Sequence, residues 1–178
     1  NQLKSPIKDY IIDLPELNKK GAWTQKYSRR LAEIKVQSGA LKEIRRKIAS
    51  LQNKNASAKY NLEVYNEVIN LVDYNFKLMK SLSLLDNNRS SEEETKLIND
   101  LQNLVYEFKE VRKQFEEVYS KSRILNKPND YILDQDHHRH PANQSVNFDW
   151  QFTAELMLIN KIKNYLKIQN LENTSKAL

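Results

Sequence analysis

Asp134, Asp136, His137, His138 and His140 crowd into the run Tyr131-Ile-Leu-Asp-Gln-Asp-His-His-Arg-His-Pro-Ala-Asn-Gln, which holds every histidine of the chain. Imidazole and carboxylate together are good ligands for zinc, nickel or copper. The spacing is not the i, i+4 spacing of a helical histidine pair, and side chains this close in sequence cannot all face one ion. The run therefore carries three readings. It is a metal site built on His137, His138, His140 and Asp136. Or it is a polar loop whose Asp and His groups bond to backbone and cap the next helix. Or it is a surface that meets a neighbouring domain or ligand, with Asp134, Arg139, Asn143 and Trp150 joining the histidines there.

Other chemistry has little to stand on. A glycosidase needs two carboxylates about 5–10 Å apart across a cleft, and adjacent Glu residues on a solvated helix face do not supply that. Only Gly21 and Gly39 are glycine, so neither a phosphate-cradling loop nor a dinucleotide fingerprint can be built. The chain has no cysteine, which excludes disulfides, thiolate nucleophiles and Cys-ligated zinc or iron–sulfur sites. No catalytic residue and no cofactor are expected from the residues alone. Phe148, Trp150 and Phe152 cluster at the start of the last helix, and Trp23 starts the first. Aromatic groups of this kind stack on sugars or anchor packing. Packing is the preferred role of Phe152, both roles stay open for Trp150, and Trp23 joins the interface or ligand-rim candidates.

The elements that must position these residues read as helices. Proline is confined to Pro6, Pro15, Pro128 and Pro141, and so few breakers argue for long helices joined by few loops. Residues 1–22 form an irregular arm, because Pro15 disfavours helix at Leu14. The arm's apolar residues (Ile7, Tyr10, Ile11, Ile12, Leu14, Leu17) predict packing on the bundle or on a further domain. Tyr27, Leu31, Ile34, Leu41, Ile44, Ile48 and Leu51 make one stripe, which predicts a helix from Thr24 to about Asn53. Gly39 inside it marks a tolerated glycine, a kink or a close contact. A second helix over 57–86 is apolar on two sides, so it is central or has two partners. Ser91 and Glu94 read as a capping box opening a third helix over 91–125. A long polar loop over 126–147 precedes a fourth helix at 149–169, and residues 170–178 read as a tail. The expected fold is all-α, an elongated antiparallel bundle of three to four helices over 23–169.

The net charge of +6 is local. Residues 24–52 hold eight basic groups against two acidic ones. No groove-reading motif or row of interleaved aromatics accompanies that helix, so a solvated basic face or an acidic protein partner is preferred to nucleic acid. No apolar run approaches the roughly 20 residues that span a bilayer. A start at Asn1 rather than Met reads as an internal cut or a processed terminus.

Two segments carry a resemblance. The first is Ile11-Ile-Asp-Leu-Pro-Glu-Leu with Gly21-Ala-Trp-Thr-Gln-Lys-Tyr. The second is Phe108-Lys-Glu-Val-Arg-Lys-Gln-Phe-Glu-Glu-Val-Tyr-Ser-Lys-Ser-Arg-Ile-Leu-Asn-Lys-Pro, continuing through Asp134-Gln-Asp-His-His-Arg-His-Pro-Ala-Asn-Gln to Phe148-Asp-Trp-Gln-Phe. Together they resemble the helical C-terminal region that follows the barrel in long bacterial glycoside hydrolases of family 20, the β-N-acetylhexosaminidases. The resemblance implies a periplasmic, secreted or cell-surface protein whose catalytic Asp–Glu pair lies in an N-terminal catalytic domain of the same chain. It implies an accessory role for this region: packing on that domain, with loop 131–150 meeting the glycan. In that case an apolar patch is expected at the surface, lined by residues of 7–17 or by Phe148 and Trp150. The competing reading is an independent helical bundle that binds a partner helix or a second copy through the wide stripe of its second helix.

Overall fold

The structure is a computed structural model, and it describes residues 7, 12–14, 17, 19–52, 59–88, 90–119 and 152–176. Five helices and no strand occur among them: α1 (Ala22–Lys26), α2 (Ser28–Gln52), α3 (Lys59–Asn87), α4 (Ser91–Tyr119) and α5 (Thr153–Lys176). The all-α bundle read from the sequence is the observed fold.

The long helices alternate in direction. Thr24 meets Asp86 at one end of α3 while Arg45 meets Asn70 farther along, so α2 and α3 are antiparallel. Only residues 88–90 separate α3 from α4, which forces a second reversal. Phe152 then packs on Phe108 and Phe115 of α4, and Lys161 reaches the arm at Asp13, so α5 climbs back toward the end where α1 begins.

The single helix expected over 24–53 is two. Gly21, at φ 85°, precedes α1, a left-handed conformation that glycine adopts without a Cβ penalty. Tyr27 (φ −102°, ψ 16°) then interrupts the helix before α2 starts. The offset coincides with Trp23 and Tyr27 both turning inward, their ring centroids 4.8 Å apart. Gly39 is neither a kink nor a close contact: it lies within continuous α2, and a Cβ there would meet nothing within 4 Å.

The distribution of burial assigns roles to the helices. In α3, 12 of 29 residues are buried; in α2 only Ile34, Leu41 and Ile48 are, spaced by seven. So α3 is the central helix and α2 a flank held by one seam. Much of the wide stripe of α3 is used internally. Tyr74 donates to the Leu104 carbonyl (2.9 Å) and its ring lies 5.4 Å from Phe108, both on α4. Asn75 bonds to Glu155 of α5, and Thr24 of α1 reaches Asp86. Much of the stripe is therefore taken up inside the bundle, while Tyr65 and Leu84 of the same helix stay exposed. Each fully buried Leu or Met in this core, such as Leu78, Met79, Leu82 and Leu101, contributes on the order of 1.5–3 kcal/mol.

The arm's described residues close onto this bundle. Ile7, Ile12, Leu14 and Leu17 are all buried, so these four do not form the exposed apolar patch that the accessory-module reading expects of residues 7–17. Phe148 and Trp150 lie outside the described residues. At the start of α4 the cap is Ser90 rather than Ser91. The Glu93 amide lies 3.5 Å from Ser90 Oγ, and the Asn88 side chain brackets Ser90 from both sides (3.0 and 2.6 Å). The Ser-x-x-Glu spacing also fits Ser90 to Glu93, so the capping signal is sound and its register is off by one. Residues 170–176, expected as a tail, continue α5; they contain neither Gly nor Pro to stop it.

Candidate functional site

Asp134, Asp136, His137, His138, Arg139, His140, Asn143 and Trp150 all lie outside the described residues, as do loop 126–147 and Phe148. Of the residues singled out for an interface or ligand rim, Trp23 alone has a described position. It is completely buried, and its indole N–H donates to the Asp13 carbonyl at 3.0 Å. Trp23 is thus corrected from a ligand-rim candidate to a packing anchor: its polar edge is satisfied and its faces are covered by the chain itself.

Around Trp23 a compact joint assembles. The Asp13 amide donates to the Tyr27 hydroxyl (2.9 Å), and Lys161 of α5 donates to the Ile12 carbonyl (3.1 Å) and to Asp13 Oδ1 (2.6 Å). The bond from Lys161 is the main reason that the Asp13 carboxyl is held below its ordinary range. On the other side of the joint, Asp86 Oδ2 accepts from the Thr24 amide at 2.8 Å, and the Asp86 carbonyl accepts from Gly21 at 3.1 Å. Asn87 adds a 2.7 Å bond to the Thr24 hydroxyl. The polar side chains of this joint tie arm, α1, α3 and α5 together. A crevice between the arm and α5, lined by Ile7, Ile12, Ala154, Met157, Leu158 and Lys161, is closed too tightly to admit a ligand.

Polar groups are also sunk in the core. Asn75 donates to Glu155 Oε1 at 2.9 Å, joining α3 to α5. The Tyr74 phenol is pushed well above its ordinary range, chiefly by burial and further by the charges of Glu107 and Glu155. A phenol held this firmly neutral, donating to a backbone carbonyl, is a strut rather than a proton donor for chemistry. Among the described residues no three His, Asp or Glu side chains converge as a metal site, and no helix is long and apolar enough to cross a membrane.

The surface is more telling. Across the face where α2, α3 and α4 lie side by side, charges alternate from helix to helix. Arg45 lies 3.8 Å from Asp73, Asp73 is 3.9 Å from Lys77, and Lys77 is 3.3 Å from Glu107. On the two flanks of this ladder the signs separate. α2 has seven basic residues against two acidic ones, and α4 has eight acidic residues against four basic ones. The charge count along the chain points to the basic helix, and the i, i+4 spacing of Asp73 and Lys77 is visible there too. The cross-helix pairing is not, since Arg45, Lys77 and Glu107 are brought together only by tertiary packing.

No family model matches the chain, and no curated protein or solved structure does either.

Proposed function

We propose that this chain is a non-catalytic helical assembly module, working through protein–protein association. The observation that carries this reading is the sorting of charge. A surface that serves only solubility intersperses both signs. Here a basic flank and an acidic flank stand on either side of a paired ladder, an arrangement suited to steering and registering a complementary protein face. The internal polar residues support it, because Asp13, Asn75, Asp86, Glu155 and Lys161 serve to fasten helices to one another. The test is the solution mass measured by light scattering across a hundredfold dilution at low ionic strength. A mass that falls on dilution supports the module; a monomer mass at every concentration overturns it.

A second reading, the accessory module of a β-N-acetylhexosaminidase, rests on the two sequence segments. Its support is that Asp13, Trp23 and Tyr27 of the first segment fold into one bonded joint, so that segment is a coherent structural signature. In this reading the chain packs on an N-terminal catalytic domain in the periplasm or at the cell surface, with loop 131–150 meeting the glycan. The coding DNA upstream of Asn1 tests it: an in-frame barrel with paired acidic residues supports it, and a start codon or a signal peptide ending directly before Asn1 removes it.

A further inference from the structure

We propose that the occupant of the charged face is a second copy of the chain, related by a two-fold axis parallel to the helices. The proposal rests on the assembly-module reading and names the partner and the face. Lys35 and Lys42 are spaced by seven on α2, with Arg46 one turn on; all three are exposed and share one side of the helix. Lys42 stands one turn from Arg45, the ladder's end on α2, so this basic stripe borders the ladder. On α4, Glu93, Asp100 and Glu107 are likewise spaced by seven and exposed, and Glu107 is itself the ladder's other end. The face therefore reads basic, paired, acidic from one edge to the other, with exposed Lys96 standing as a cation between Glu93 and Asp100 on the acidic edge.

The geometry of such a face selects its own symmetry. A two-fold rotation about an axis along the bundle exchanges left and right and preserves height. It lays α2 of each copy over α4 of the other, so both basic stripes meet acidic ones at once. A two-fold axis lying in the face across the helices sets basic on basic, which like-charge repulsion opposes. The interface is isologous, closed at two copies, and does not propagate. The ladder at its centre is polar, so association is weak and depends on ionic strength.

The test uses two charge-reversed variants of the full chain, Lys35→Glu/Lys42→Glu and Asp100→Lys/Glu107→Lys, with circular dichroism melts to confirm that each folds. All four positions are exposed. Sedimentation of wild type shows a dimer whose dissociation constant rises at least about tenfold between about 50 mM and about 0.5 M salt. Each variant alone is monomeric, since like signs then face each other. An equimolar mixture restores a dimer, because one copy is acidic on both flanks and the other basic on both, and an unfolded variant has no route to that recovery. Wild-type dimers joined by equally dimeric variants overturn this face while leaving the assembly module standing. A wild type that stays monomeric at every salt concentration overturns both.

Discussion

Asp86 is 1% exposed where the last turn of α3 meets the first turn of α1, and its Oδ2 accepts the Thr24 amide. A charge-assisted bond of this kind contributes about 1.5–3 kcal/mol, and removing the acceptor takes away the partner of a partly buried N–H. Asp86→Ala is expected to lower stability by about 2 kcal/mol, measured by urea unfolding, while Asp86→Asn, which keeps an acceptor, loses less. Asp13 makes a pH-dependent counterpart. Its carboxyl is held below the ordinary range mainly by the hydrogen bond from Lys161, so the tether is in full force above the unfolded aspartate pKa. It is lost as pH falls through the lower, folded value. Hydrogen exchange at the Asp13 amide is expected to quicken as that acid range is crossed, and Asp13→Asn removes the dependence. Little of this was legible in the sequence. Trp23 read as a surface aromatic because the carbonyl that takes its indole N–H, at Asp13, is 10 positions away, and no local spacing reveals it. The end of the second helix near 86 was readable, but not that Asp86 accepts a bond from Thr24, 62 positions away.

At the scale of the element, α2 and α3 show what periodicity delivers. Ile34, Leu41 and Ile48 in α2 and the two-sided pattern of α3 were readable, because burial on one or on several sides imprints itself every three to four residues. The interruption at Tyr27 was not, since the stripe runs through it unbroken in sequence and no breaker stands there. Gly39 is a place where the helix can be improved. It is exposed, lies inside α2 and has open space where a Cβ would go. Gly39→Ala is expected to raise stability by about 0.5–1 kcal/mol, through lower unfolded-state entropy and better helix propensity, read as a higher melting temperature. On the central helix, Tyr74→Phe removes the bond to the Leu104 carbonyl, which keeps its own helical partner within α4, for an expected loss of about 1 kcal/mol in the same assay.

In the whole molecule, the all-α class followed from scarce Gly and Pro and from stripe spacing, and the short connection between α3 and α4 fixed one reversal. The sorting of charge between flanks was half legible. The basic surplus of residues 24–52 stands out in sequence, whereas the acidic surplus of α4 is diluted by its four basic residues and gains meaning only once the two helices flank α3. The resemblance to β-N-acetylhexosaminidase appendages implied an exposed apolar patch lined by residues of 7–17 or by Phe148 and Trp150. Ile7, Ile12, Leu14 and Leu17 instead complete this bundle's own core, which shifts the search for a partner from the apolar arm to the charged face. The most direct test of that shift is sedimentation velocity of the unmodified chain at one concentration and two ionic strengths. Charge-sorted pairing predicts a dimer at low salt that dissociates toward monomer at high salt. A sedimentation coefficient that is monomeric at both contradicts it.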